Sequence, residues 1–195
     1  LGMLQARKKL EYYRKKFPVG SDFLVGVNIG PNKDSEDRFN DYKVLAKNLS
    51  KFADYISINV SSPNTPNLRE FQKKENLEKV INFVKDGIAT SKTFNKKLPI
   101  FLKIAPDINN QTLKSIIETA HSQKIFGLII SNTTLDRESN LKSKKAYELG
   151  GLSGKPLFKK STDILSQANK IIKINNYKLF LIAAGGVSDS KTAYV

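Results

Sequence analysis

Short apolar runs alternate along this chain with longer stretches in which apolar residues recur every three or four positions. The runs Phe23 to Ile29, Tyr55 to Val60, Pro99 to Ile104, Gly127 to Ser131 and Leu179 to Ala184 have strand length and carry many β-branched and aromatic residues. Between the first two, Phe39, Tyr42, Leu45, Ala46 and Leu49 fall at helical spacing. Leu77, Val80, Ile81 and Val84 do the same, followed by Leu113, Ile116, Ile117 and Ala120, and then Ile164, Leu165, Ala168, Ile171 and Ile172. A further helix opens the chain from about Leu4 to Lys16. Repeated strand and helix alternation predicts the α/β class, with a parallel sheet and right-handed crossovers.

An open doubly wound sheet and a closed barrel both fit this alternation. A nucleotide-binding open sheet normally has a glycine-rich turn after its first strand, and Gly26-Val27-Asn28-Ile29-Gly30 does not supply the G-x-G-x-x-G spacing. In a barrel, every strand contributes to one site at its carboxyl end. The strand ends here carry Asn28, then Asn59 with Ser62, then Lys103, then Asn132 with Thr133, then Gly185 with Gly186, which is the barrel pattern.

Composition narrows the classes. The 195 residues suffice for one domain with a substantial core, yet a complete eight-unit barrel typically needs about 250. No apolar run reaches the ~20 residues of a membrane-spanning helix. Cysteine is absent, which excludes disulfides, thiolate ligands and a cysteine nucleophile, and a single histidine, His121, excludes histidine triads and multi-histidine metal sites. His121 falls in the third helical pattern, away from the polar strand ends. The net charge of +15 invites a nucleic-acid partner. However, the lysines are scattered in pairs, Lys8-Lys9, Lys15-Lys16, Lys73-Lys74, Lys96-Lys97, Lys144-Lys145 and Lys159-Lys160, as solvated faces rather than one groove, so no nucleic-acid partner is expected.

The richest chemistry lies in Tyr55-Ile56-Ser57-Ile58-Asn59-Val60-Ser61-Ser62-Pro63-Asn64-Thr65, where an apolar strand runs into neutral polar groups and stops at a proline. An unpaired buried amide costs about 1–3 kcal/mol, so Asn59 needs a partner. Ser62 and Asn64 on the rigid turn suit a planar polar ligand, or equally cap the turn by bonding local backbone. Lys103, inside the apolar run Pro99 to Pro106, shares a face with Phe101 and either snorkels to water or meets a ligand with negative charge or carbonyl oxygens, of which a flavin is one. Gly185-Gly186 before Ser188-Asp189-Ser190 reads as a phosphate approach or a tight turn. Two loops stand out: Thr65 to Lys74, placed to cover a ligand, and Leu135 to Phe158, which contains Gly150, Gly151 and Gly154.

Asn59-Val60-Ser61-Ser62-Pro63-Asn64-Thr65, Lys103-Ile104-Ala105-Pro106-Asp107, Ser131-Asn132-Thr133-Thr134, Gly150-Gly151-Leu152-Ser153-Gly154-Lys155-Pro156-Leu157 and Gly185-Gly186-Val187-Ser188, in this order, closely resemble dihydroorotate dehydrogenase. The resemblance implies a (β/α)8 barrel that carries FMN and oxidises dihydroorotate to orotate in pyrimidine (UMP) synthesis. Ser62 matches the active-site base. The soluble class usually has cysteine there, so serine points to the class that uses quinone and sits peripherally on the cytoplasmic face of the inner membrane. Asn59, Asn64, Asn132 and Thr133 match substrate-binding positions. Asn28, Asn59, Lys103, Ser131, Gly154, Gly185 and Gly186 match positions that hold FMN, with Ser131 standing where threonine is common.

By the same resemblance residues 1–195 form one partial FMN-binding barrel domain of about five central βα units, without the first strands, the last strand and the amino-terminal helical pair that docks on membrane. The expectation is therefore a fragment whose open edges would aggregate or pair with a complementary segment, soluble if made alone. The alternatives are a truncated chain inactive by itself, a flavin-binding relative with other chemistry, and, last, a basic nucleic-acid-binding domain.

Overall fold

All five apolar runs join one parallel sheet in the computed structural model, which describes residues 2–91, 98–137 and 141–194. The strands are β1 (Gly26–Ile29), β2 (Tyr55–Asn59), β3 (Ile100–Ile104), β4 (Gly127–Ile130) and β5 (Phe180–Ala183), paired in the order β1-β2-β3-β4-β5. The helices are α1 (Gly2–Lys16), α2 (Arg38–Leu49), α3 (Lys74–Ala89), α4 (Asn110–Ser122), α5 (Phe158–Ile174) and the short α6 (Ser190–Ala193). The lysine pair Lys96-Lys97 and residues 138–140 of the long loop lie outside the described residues.

Each run is longer than the strand it forms, and the first by most. Phe23 to Val25 precede the ladder because the Val25 N–H donates to Asp54 Oδ2 at 2.7 Å. The Asp54 carboxylate also accepts the Gly20 N–H and pairs with the Arg14 guanidinium of α1 at 2.5 Å, both side chains nearly buried. These charge-assisted bonds hold its pKa below the ordinary value against the opposing effect of burial. The pair ties α1 to the start of the sheet.

Consecutive strand order decides between the two windings. Every crossover steps the same way, and right-handed steps then place the crossover helices on one face, with α2 against α3, α3 against α4 and α4 against α5. A doubly wound sheet reverses its order. Val27, Ile29, Ile56, Ile58, Leu102, Ile104, Leu128 and Ile130 point into the layer between sheet and helices, where they meet Tyr42 and Ala46 of α2, Leu77 and Ile81 of α3, Ile116 and Ile117 of α4, and Ala168 of α5. The helix pattern read from sequence is thus the core pattern. Asp37 and Asn109 cap α2 and α4 by accepting the N–H groups of Asn40 and Thr112, and Gly87 lets α3 approach the Lys43 carbonyl of α2.

The alternate positions form the other face. Register places Asn28 beside Ser57, and Asn59 beside Lys103, so Asn28, Asn59 and Lys103 lie on three neighbouring strands before any loop is considered. Tyr55, Phe101 and Phe180 lie lower on that face.

Candidate active site at the strand ends

Asn59 finds its partners within the chain. Its side-chain oxygen accepts the Ser61 N–H at 3.3 Å and the Asn132 amide at 3.2 Å. The buried Ser61 hydroxyl accepts from Asn132 Nδ2 at 3.0 Å, and its single hydrogen faces the Lys103 carbonyl at 2.7 Å and Asn59 Oδ1 at 3.1 Å. Ends of β2, β3 and β4 are thereby joined by neutral hydrogen bonds. Asn59 Nδ2 donates to none of the described residues and is left for an acceptor. The Asn59 carbonyl takes the Tyr42 hydroxyl at 2.8 Å, and burial pushes that phenol far above its usual range, so it stays a donor.

Beside this network, Asn28 is exposed and its side-chain oxygen accepts the Ser57 hydroxyl at 3.1 Å. Lys103 is half-buried, and among the described residues its ammonium has no ion-pair partner. A cation held on a polar sheet face without a carboxylate fits a ligand rich in carbonyl oxygens or negative charge. Ser131 is buried, follows a cis peptide after Ile130, and gives its hydroxyl to the Asn132 carbonyl at 2.9 Å.

Ser62, Pro63 and Asn64 form the capped turn that was one of the two sequence readings. The Asn64 N–H donates to Ser62 Oγ at 3.3 Å, with Ser62 half-buried and Asn64 exposed. Gly150 and Gly151 lie against it. A Cβ on Gly151 would collide with the Thr133 hydroxyl and come within 3.0 Å of Pro63 Cγ, and one on Gly150 would stand 3.3 Å from Asn64 Oδ1. Ser62, Asn64 and Thr133 are therefore brought together, while Asn59 and Asn132 form a separate group below. Gly154 has φ +75° and only open space where a Cβ would project, so its backbone is accessible. Gly185 and Gly186 also have positive φ, but they pack on the start of α5, where Ser161 Oγ donates to the Gly185 carbonyl at 2.8 Å.

Sequence reasoning missed the charged cluster behind this turn. Asp107, just past β3, accepts Arg69 Nη1 at 2.8 Å, Lys160 Nζ at 2.6 Å, the Leu135 N–H at 2.9 Å and the Thr134 hydroxyl. Lys160 also pairs with Asp136. Arg69 continues to the Ser61 and Thr133 carbonyls at 3.4 and 3.1 Å, so one guanidinium spans three strand ends. Asp107 partners stand 38 and 53 residues away, which no local spacing reveals. The nearest signal was a carboxylate following Pro106 at a strand end. The loop Thr65 to Lys74 is accordingly a packed element, with Leu68, Phe71 and Gln72 buried and Gln72 accepting the Ala105 N–H at 3.0 Å. Among the described residues no cluster of His, Asp or Glu suits a metal ion. His121 is exposed in the last turn of α4, which leads into the start of β4 rather than its end, and stacks on Tyr177 at 4.2 Å.

A family profile described as Dihydroorotate dehydrogenase matches residues 2–194. A protein of Agrobacterium fabrum named Dihydroorotate dehydrogenase (quinone) is 44% identical over 171 residues, covering 87% of this chain and 46% of its own length. Another of that name, from Rhizobium etli, is 43% identical over 184 residues, with 93% and 49% covered. The chain thus spans about half the length of the curated relatives it matches. Among solved structures, DHODH of Eimeria tenella in complex with ferulenol superposes with a TM-score of 0.87 at 32% identity, over all of this chain and 56% of that one. The ligand-free form gives 0.88 at 31% identity, over 99% and 57%.

Proposed function

The chain belongs to the dihydroorotate dehydrogenase family, and we propose that its strand-end residues serve the FMN-dependent oxidation of dihydroorotate to orotate in pyrimidine synthesis, with a quinone as final acceptor. The observation that carries this reading is two adjoining groups of neutral amides and hydroxyls at the ends of β2 and β4, Asn59 with Asn132 and, above them, Ser62, Asn64 and Thr133, with Lys103 on the neighbouring strand free of any ion-pair partner among the described residues.

The chemistry of the residues suits the substrate. Dihydroorotate presents a carboxylate, ring carbonyls and ring N–H groups, and amides can answer all three as donor or acceptor. Its oxidation removes a proton and a hydride from adjacent ring carbons. In this reading Ser62 takes the proton. It can do so only as its own hydroxyl hydrogen departs, and the Asn64 N–H, already aimed at Ser62 Oγ, favours the alkoxide-like charge that this departure leaves. A serine hydroxyl is a weak base, so the proton must pass on to a neighbour or water. FMN, when bound, supplies the hydride acceptor. Lys103, Asn28, Asn59 and the open backbone at Gly154 would hold it, with Ser131, Gly185 and Gly186 shaping the surrounding backbone. Quinone places the reaction at a membrane surface, and no described helix is long and apolar enough to cross one.

The half-length match supports a second reading, in which these residues bind FMN and substrate but turn over only with further barrel units. Flavin absorbance, orotate titration and quinone reduction on the purified chain separate the two. The first reading expects stoichiometric flavin and dihydroorotate-dependent reduction by this chain alone, and the second expects binding without turnover. In whichever form turns over, Ser62→Ala keeps orotate binding and lowers turnover at least ~100-fold. Unchanged turnover in that variant, or no orotate binding by the parent, refutes the assignment.

A further inference from the structure

One guanidinium gathers the backbone of two stretches, residues 134–136 and residues 146–150 that run up to the glycine pair. Arg137 Nε donates to the Ala146 carbonyl at 2.9 Å, and Nη2 donates to those of Glu148 at 3.0 Å and Gly150 at 2.7 Å. Nη1 reaches the carbonyls of Leu135 and Asp136, both at 3.2 Å, and of Thr134 at 3.5 Å. All six acceptors are backbone oxygens, and among the described residues Arg137 has no carboxylate partner. A guanidinium carries five N–H groups on three nitrogens fixed in a plane, so a single side chain can serve carbonyls along two edges; an ammonium has only three, all on one nitrogen, and cannot cover six acceptors.

The two stretches so joined are those that carry Thr133 and press on Asn64. Thr134 and Leu152 exchange backbone bonds, Thr134 N–H to the Leu152 carbonyl at 3.1 Å and Leu152 N–H back at 2.7 Å. Gly151, one residue earlier, has no room for a Cβ beside the Thr133 hydroxyl, and Gly150 stands at Asn64 Oδ1. The near end of the stretch is fixed separately, through Thr134 and Leu135 to Asp107. Beside the Thr134–Leu152 backbone bonds, Arg137 is the side chain that connects that fixed end to Gly150.

We propose that Arg137 is a positioning residue for substrate: it seats Gly150 and Gly151 against Asn64 and Thr133 and so sets where those two side chains stand. The proposal rests on the reading of Asn64 and Thr133 as substrate-binding and involves neither Ser62 nor the flavin positions. A merely structural staple would change local stability without changing affinity for the ligand; a positioning residue changes both.

Amide hydrogen exchange and orotate calorimetry on the full chain, parent against Arg137→Gln and Arg137→Lys, test this. With Arg137→Gln, exchange at Thr134 and Leu152 quickens about tenfold or more and orotate binds about tenfold more weakly, while α3 and α4 amides keep their protection. Arg137→Lys retains the charge, reaches only one side, and falls between. Should Arg137→Gln not fold, Arg137→Lys carries the comparison, and parent-like exchange and affinity in it overturn the proposal. Faster exchange with unchanged orotate affinity overturns it too, since that is a staple. A parent chain that takes no orotate removes the substrate reading and the proposal together, whereas parent binding undiminished by either variant removes the proposal alone.

Discussion

At Asp107 burial and charge act in opposite directions. The side chain is 14% exposed, and desolvation alone would raise its pKa. The Lys160 ammonium, the Thr134 hydroxyl, the Leu135 N–H and the Arg69 guanidinium outweigh that and hold it at about 2. A carboxylate depressed on folding stabilises the native state fully above its unfolded value near 4, and that contribution is lost as pH falls through about 2. A shift of this size corresponds to about 2 kcal/mol. Asp107→Asn also leaves the Arg69 and Lys160 charges facing each other with Asp136 as the remaining counter-charge, so its expected cost at neutral pH is about 2–4 kcal/mol. Urea unfolding of parent and variant across pH checks this: the gap should be constant from neutral to about pH 4 and narrow towards pH 2. A gap that does not change with acid would mean the ionised carboxylate is not its source.

Elements were legible where their burial is written in their own residues. Every strand lies within its apolar run and every long helix covers its periodic stretch, because each side chain's place against the sheet depends on local spacing. Asn28, Asn59 and Lys103 were legible for the same reason as polar positions on otherwise apolar strands, and the register sets them side by side on the face away from the helices. Asp107 and Arg137 were not, since their partners are distant in sequence or are backbone carbonyls, which leave no mark in it. The glycines after β5 show the limit most clearly. Sequence allowed a phosphate approach or a tight turn, and the packing of Gly186 supports the turn without excluding the approach: at φ +76°, a Cβ there would stand 2.7 Å from the Phe158 backbone of α5. Gly186→Ala therefore meets both an unfavourable dihedral, costing about 1–2 kcal/mol, and a backbone collision. Gly154→Ala meets the dihedral alone, since nothing lies within 4 Å of its Cβ position. Thermal unfolding of the two variants should place Gly186→Ala clearly lower. Equal losses would show that α5 shifts to admit the methyl group.

Across the whole molecule, the face away from the helices is apolar towards β5. Phe180 is 62% and Ile182 37% exposed, and Phe126, 42% exposed, stacks on Phe180 at 4.7 Å. At the other end Phe23 and Leu24 are 58% and 72% exposed, and among the described residues β1 and β5 each pair on one side only. Unpaired strand edges beside exposed aromatics favour association between chains. The net charge of +15 opposes it, because like-charged molecules repel over a distance set by salt. That distance shrinks from about 10 Å at 0.1 M to about 3 Å at 1 M ionic strength, while burial of apolar surface does not weaken. The 195-residue chain expressed alone should therefore sediment mainly as monomer at low salt and associate as salt rises. Phe180→Ser removes the most exposed aromatic of β5 without touching the strand-end turn at Ser62, so it should move the onset of association to higher salt and lower the fluorescence of an apolar dye. Association that weakens with salt would instead assign the contact to charged groups, and a salt-independent monomer would show that neither edge is available to a second chain.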